Sequence, residues 1–187
     1  MHPSEPDNVR CERILTVGAE SIDAYRMLRL RGLREHPESF GETPENFEGK
    51  SNQQILERIE AQMRIGGFIL VATSSSGELI GTVGLALNDD KKMRHRGILW
   101  GMYVIPEARS HGVAQALIDE LCVRAERIEG LEQLHLSVVT TNHSAYRLYQ
   151  RMGFTTYGVD PKVLKLGDQA FDEHLMVKTL PNRTAKV

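Results

Sequence analysis

The residue types and spacings that could do chemistry gather in two places. The first is Arg109-Ser110-His111-Gly112-Val113-Ala114, set between an apolar run that ends at Pro106 and a long helical pattern. The first turn of a helix leaves several N–H groups without intrahelical partners, beside the positive end of its dipole. Phosphate-type anions bind at such junctions. Gly112 would let the backbone come close to a phosphate, a small Ala114 serves the same end, and Arg109 adds a fixed positive charge. His111 is better suited to offer its backbone N–H than its imidazole. The second place is Asn142 to Tyr149. Asn142, Ala145 or Tyr146, and Tyr149 are three, four and seven apart, so a helix would put them on one face. Asn142 and Tyr149 would then stand about 10 Å apart along the axis. A tyrosine on that face can give up a proton, and it can equally be a half-buried core aromatic. Asn142 also fits an N-cap and Gly153 a C-cap.

Other chemistries lack their signatures. No Gly-Lys-Ser/Thr follows the glycine loop, which argues against a P-loop nucleotide binder, and there is no G-x-G-x-x-G. The seven histidines are scattered, no G-x-S-x-G elbow is present, and no metal is expected. Cys11 and Cys122 stand alone, one near the N-terminus and one on the long helix, so neither reads as a nucleophile, and a reducing cytoplasm is the expected compartment. A net charge of −2 gives no electrostatic reason for a nucleic-acid or membrane partner. The basic run Lys91–Arg96 reads as hairpin surface, with contact to a phosphate or an acidic partner as a lesser option. The polar start, Met1 to Asn8, has no apolar segment of the signal-peptide kind, and no run approaches the ~20 residues of a membrane span. Asn142-His-Ser and Asn182-Arg-Thr are then chance matches to the glycosylation sequon.

Around these residues the elements can be placed. At 187 residues, 41% hydrophobic and 26% charged, the chain fits one domain over residues 1–187, with loose ends at 1–10 and 181–187. Strands are expected at Arg13–Val17, Phe68–Thr73, Leu79–Leu87, Gly97–Ile105, Leu134–Thr140, Thr155–Val159 and Glu173–Thr179. Helices are expected from Ser21 to about His36, from Asn52 to about Arg64, from Gly112 to about Ile128, and from Asn142 to Gly153. Val113, Leu117, Leu121, Ala125 and Ile128 make one apolar face of the third, and Gly130 is its expected cap. Residues 38–50 read as an acidic loop broken by glycine and proline. The order β-α-α-β-β-β-α-β-α-β-β is an α/β fold with a mixed sheet, in which antiparallel hairpins surround a right-handed βαβ crossover.

Three motifs in register resemble the GNAT superfamily of N-acetyltransferases. Arg109, Gly112 and Ala114 fill its [QR]-x-x-G-x-[GA] pattern. Met102-Tyr-Val-Ile-Pro106 is similar to its buried strand ending in Val-x-Pro. Asn142 to Phe154 is similar to N-x-x-A-x-x-L-Y-x-x-x-G-F. The resemblance covers about residues 13–180 and implies acetyl-CoA as co-substrate. It implies that backbone groups of Met102, Tyr103 and Val104 pair with the pantetheine arm and that residues 109–114 hold the pyrophosphate. The strand at Leu134–Thr140 would splay from its neighbour to open the slot, with Asn142 and Ala145 lining it and Tyr149 near the thioester sulfur.

The expected reaction is direct attack of a primary amine on the thioester in a ternary complex, with a backbone N–H steadying the oxyanion and Tyr149 as general acid. The acceptor would be a small-molecule or peptide amine, and a homodimer is left open. A non-catalytic acyl-CoA-binding module is the alternative. Many members of the superfamily carry a glutamate base on the fourth strand, and here Gly97–Pro106 has no acidic residue. The acceptor pocket is expected between the Arg31–Lys50 region and the last two strands. Glu35, His36, Glu38, Glu42, Glu45 and Glu48 there read either as an acidic rim for a cationic amine or as solvated loop. Base candidates are Glu42, Glu45, Asp172, Glu173 and His174, with His135 at a strand edge and water as the other route.

Overall fold

The computed structural model describes residues 9–181. Seven strands form one sheet: β1 (Arg13–Thr16), β2 (Phe68–Thr73), β3 (Leu79–Leu87), β4 (Arg96–Val104), β5 (Gln133–Val139), β6 (Thr155–Leu166) and β7 (Gln169–Thr179). Five helices accompany them: α1 (Ile22–Glu35), α2 (Pro44–Glu48), α3 (Asn52–Arg64), α4 (Val113–Ala125) and α5 (His143–Arg151). The spatial order is β1-β2-β3-β4-β5-β7-β6. Every neighbouring pair is antiparallel except β4 and β5, which run parallel on either side of α4. The expected α/β fold with a mixed sheet is the one observed.

Helices cover both faces. On one, α1 sits so close to β4 that a Cβ on Gly32 would lie 2.9 Å from the Tyr103 ring. On the other, Leu117 of α4 packs over Gly81 and Val104. The fully buried residues Leu33, Leu70, Ile80, Leu117, Ile118, Leu121 and Leu134 come from both layers, so the sheet is the middle of a sandwich.

Three expectations need revision. The acidic loop contains α2, which Thr43 caps by accepting from Asn46 N at 3.2 Å, with Pro44 at the first position. The helix expected to reach Ile128 ends at Ala125, and Gly130 (φ +77) lies beyond a further turn. The last two strands extend to meet at Gly167-Asp168, a two-residue hairpin in which Gly167 takes φ +58. The expected loose ends fall mostly on residues 1–8 and 182–187, outside the described residues, as does the Asn182 sequon. Val9 packs against the core.

Candidate active site

The sheet carries a fault at its centre. β4 and β5 are in register only at Arg96–Ile98 with Gln133–His135, and past Ile98 the edge of β4 has no strand beside it. A bulge accompanies the parting: Gly101 and Met102 of β4 together oppose Val83 of β3. Gly101 takes φ +65, a left-handed conformation that glycine adopts without the Cβ penalty. Bulges bend and over-twist their strand, which turns the second half of β4 away from β5. The result is a cleft between parallel strands, open at their C-terminal ends. Met102, Tyr103 and Val104 lie along this part of β4, beyond the last pair with β5, and of their backbone groups Val104 O accepts from Arg109. The Tyr103 side chain points elsewhere, towards α1, where its hydroxyl donates to Glu35 Oε2 at 2.6 Å.

Both loops that leave the parallel pair start at that open end. The β4–α4 loop carries Ser110 and Gly112 in left-handed conformations (φ +65 and +78), which lead directly into α4. No side chain caps the helix. The N–H groups of Val113, Ala114 and Gln115 have no acceptor among the described residues. A Cβ on Gly112 would meet nothing within 4 Å, so the loop is open to the outside at that point. Arg109 is engaged within the fold. Its Nε donates to Val104 O at 3.0 Å, and its guanidinium lies 3.0 Å from His36 Nε2 and 3.8 Å from Glu35, so it ties the end of β4 to the end of α1. His111 turns its ring back onto Arg109 O, at 2.7 Å.

The β5–α5 loop brings in the second group. Asn142 Oδ1 accepts from Ala145 N at 3.1 Å, so the N-cap role is real. Asn142 and Ala145 are half-buried. Tyr149 is 5% exposed, meets Phe154 edge-on at 5.9 Å, and its hydroxyl has no hydrogen-bond partner among the described residues. Burial raises its pKa well above the ordinary value of 10. The hydroxyl therefore keeps its proton. The Cys122 thiol is buried beside the Lys178 ammonium, 3.6 Å away, and burial pushes its pKa up, so it is not a ready nucleophile.

The acidic region is largely neutralised. Glu42 pairs with Lys50, Glu48 with Arg34, and Glu35 with Arg31 and Arg109. Burial alone would raise the Glu35 pKa; the hydrogen bonds from Tyr103 and Arg31 outweigh it and hold the carboxyl below its usual range. Asp172 accepts from Lys162 N, and His174 stacks on Tyr146 with ring centroids 4.4 Å apart. His135 is held between Arg96 and Gln133 at the closed end of the cleft, where burial and Arg96 lower its pKa.

A feature missed from the sequence lies on the α1 side of the bulge. Arg29 and Trp100 border a cavity of about 230 Å³ between α1, α2, α3 and strands β2 to β4. The signal was present: Arg29 falls four residues after Tyr25, on the same face as Leu28 and Leu33, where a charge has no solvent.

Comparison with known proteins fits this geometry. The model of the acetyltransferase (GNAT) family matches residues 32–154. A mycothiol acetyltransferase of Thermobispora bispora is 32% identical over 162 residues, which cover 84% of this chain and 50% of that protein. The chain spans about half the length of the mycothiol acetyltransferases it matches. A phosphinothricin acetyltransferase of Sinorhizobium meliloti, solved in complex with acetyl-CoA, superimposes with a TM-score of 0.80 at 20% identity, over 94% of this chain and 91% of that one. YncA of Salmonella typhimurium, solved with acetyl-CoA, gives 0.78 at 19% identity, over 94% and 97%. These structural likenesses are likenesses of fold. Among the described residues, no helix is long and apolar enough to cross a membrane, and no group of three His, Cys, Asp or Glu could hold a metal ion.

Proposed function

The chain belongs to the GNAT acetyltransferase family, and from that premise we propose that it transfers the acetyl group of acetyl-CoA to a primary amine, by direct attack in a ternary complex. The observation that carries the reading is the parting of β4 and β5 beyond Ile98, with an uncapped helix N-terminus at the open end. The cleft suits a long, flexible arm with phosphates at one end, and two solved proteins of the same fold hold acetyl-CoA.

Acetyl-CoA would supply an acyl group already activated as a thioester. The chain's own residues do the rest. The free N–H groups of Val113, Ala114 and Gln115 receive the pyrophosphate, and Gly112 leaves room for it. Backbone groups of Met102, Tyr103 and Val104 hold the pantetheine arm where a neighbouring strand would otherwise pair. A β4 backbone N–H donates to the carbonyl oxygen as negative charge develops on it. Tyr149, protonated and without a hydrogen-bond partner among the described residues, gives its proton to the departing sulfur and regains one from water, which also takes the proton that the amine nitrogen loses. Arg109 fixes the loop to α1 and β4 rather than reaching for a phosphate. The acceptor is a small-molecule or peptide amine, entering from the side of α1 and α2. We place the reaction in the cytoplasm, a reading supported by the two free cysteines.

The test is release of free thiol from acetyl-CoA with polyamines, aminoglycosides, amino acids and peptide N-termini, the acetylated product being identified by mass. Binding of CoA with no turnover of any amine would leave a binding module and refute the transfer.

A further inference from the structure

Arg29 is a charge in an apolar place. Only 5% of it is exposed, and its Nε and Nη1 are buried without any hydrogen-bond partner. Its guanidinium lies 4.6 Å from the centre of the Phe40 ring and 5.7 Å from that of Trp100. Those faces soften the burial but take no hydrogen bond. The indole Nε1 of Trp100 is also buried and unpaired. Unsatisfied buried donors are rare, and each is costly to the fold. Here two side chains bearing them meet at one cavity.

The charge around that cavity has a sign. Lys50 and Arg58 line it with Arg29, against one carboxylate, Glu42, which Lys50 already engages. Three cations face one anion. The other walls are apolar, from Phe47, Ile55 and Ile59 among others. The place adjoins the reaction site as well. A Cβ on Gly101, in the β4 bulge, would lie 3.5 Å from Arg29 Nη1. A molecule held by Arg29 therefore lies against the strand that borders the cleft.

We propose that Arg29 and Trp100 hold a carboxylate of the acceptor, which makes the acceptor an amine that also carries a carboxylate and an apolar portion, rather than a polyamine or an aminoglycoside. This deepens the transferase reading by naming the substrate class, and it rests on that reading. A carboxylate accepts from Arg29 and from the Trp100 indole, satisfying donors the fold leaves empty, and the apolar walls receive the rest of the molecule. Glu42 and Glu48 do not oppose it, because each is matched to a cation, and Glu38 and Glu45 do not line the cavity.

The experiment reads binding rather than turnover, so it can fail separately from the transferase reading. N-acetylglycine, N-acetyl-β-alanine, N-acetylleucine and N-acetylphenylalanine are titrated calorimetrically, in the presence of CoA, against their uncharged amides. At least one acid is expected to bind roughly 10- to 100-fold more tightly than its amide, the range of a charge-assisted hydrogen bond lost. Arg29→Met should abolish the difference, and Arg29→Lys should restore part of it. Melting curves confirm that the variants fold, and Trp100→Phe offers a second variant that keeps the charge and removes one donor. No acid preferred over its amide, or a preference that survives Arg29→Met, overturns the proposal whether or not the protein turns over an amine.

Discussion

Gly112 and Gly130 form a matched pair that separates what the β4–α4 loop does for folding from what it does for the cofactor. Both are left-handed (φ +78 and +77), and at both an added Cβ meets nothing within 4 Å. Alanine at either position costs about 1–2 kcal/mol of conformational strain. For a chain of this size that lowers Tm by roughly 2–8 °C, and the two variants should fall together. They stand beyond opposite ends of α4, which is about 20 Å long. Only Gly112 adjoins the free N–H groups of Val113 to Gln115. A methyl group there stands where a phosphate must approach to accept from those donors. Loss of even one charge-assisted hydrogen bond, about 1.5–3 kcal/mol, weakens CoA roughly 10- to 150-fold. Calorimetry with CoA on wild type, Gly112→Ala and Gly130→Ala, alongside thermal melts, reads both quantities. Gly130→Ala should bind as wild type does. If Gly112→Ala binds within about threefold of Gly130→Ala, the loop is only a corner between strand and helix.

Two further outcomes follow from the same geometry. Tyr149→Phe should lower turnover roughly 10²-fold or more while CoA affinity stays nearly intact, in line with the usual contribution of a positioned acid; full activity would mean that the sulfur leaves unaided or finds another donor. Because burial holds the Tyr149 pKa above 10, the hydroxyl stays protonated through the neutral range, and its ionisation should cause no loss of rate below pH 10. The rate should rise with pH towards the amine's own pKa, since the part of β4 along the cleft carries no carboxylate. Replacing Glu42, Glu45, Asp172, Glu173 or His174 singly should leave turnover within about tenfold. A single replacement that abolishes turnover, spares both affinities and removes an inflection near pH 6–7 would identify a dedicated base.

The elements that sequence periodicity placed best are those that bury a face. The strands at Phe68–Thr73 and Leu79–Leu87 match the observed ends residue for residue, and the helix expected from Asn52 to about Arg64 spans Asn52–Arg64. Each is flanked by a strong stop: the serine turn, the Ser51 cap or a glycine pair. The β6–β7 hairpin was only half legible. Most of β6 is exposed, so no hydrophobic alternation marks it, and Pro161 with the irregularity between Asp160 and Leu164 breaks the pattern further. Its remaining signal was the Gly167-Asp168 dipeptide, a two-residue turn with one glycine. The five residues of α2 are too few to show a stripe, and Thr43-Pro44 alone announced it.

The site was legible in a different way. The loop and the tyrosine could be proposed from sequence because the chemistry asked of them is local: a helix start, a small residue, a proton. The cleft is not local, since it consists of hydrogen bonds that β4 and β5 do not make. Gly97–Ile105 reads as one buried apolar strand because its composition is that of a strand in full pairing. The residue that departs from this composition is Gly101, and an isolated glycine in a strand marks a bulge or a close backbone approach. Here it marks the bulge that twists β4 away from β5, and the Arg29 guanidinium lies at ordinary contact distance from where its Cβ would stand. A side chain at 101 would meet Arg29 at 3.5 Å and would also disfavour φ +65. The one glycine thus adjoins two features that the sequence separates by about seventy residues, the opening proposed for the cofactor and the charge proposed to face the acceptor. Alanine at 101 should therefore disturb CoA affinity and the acid-over-amide preference together, whereas Arg29→Met should disturb only the second.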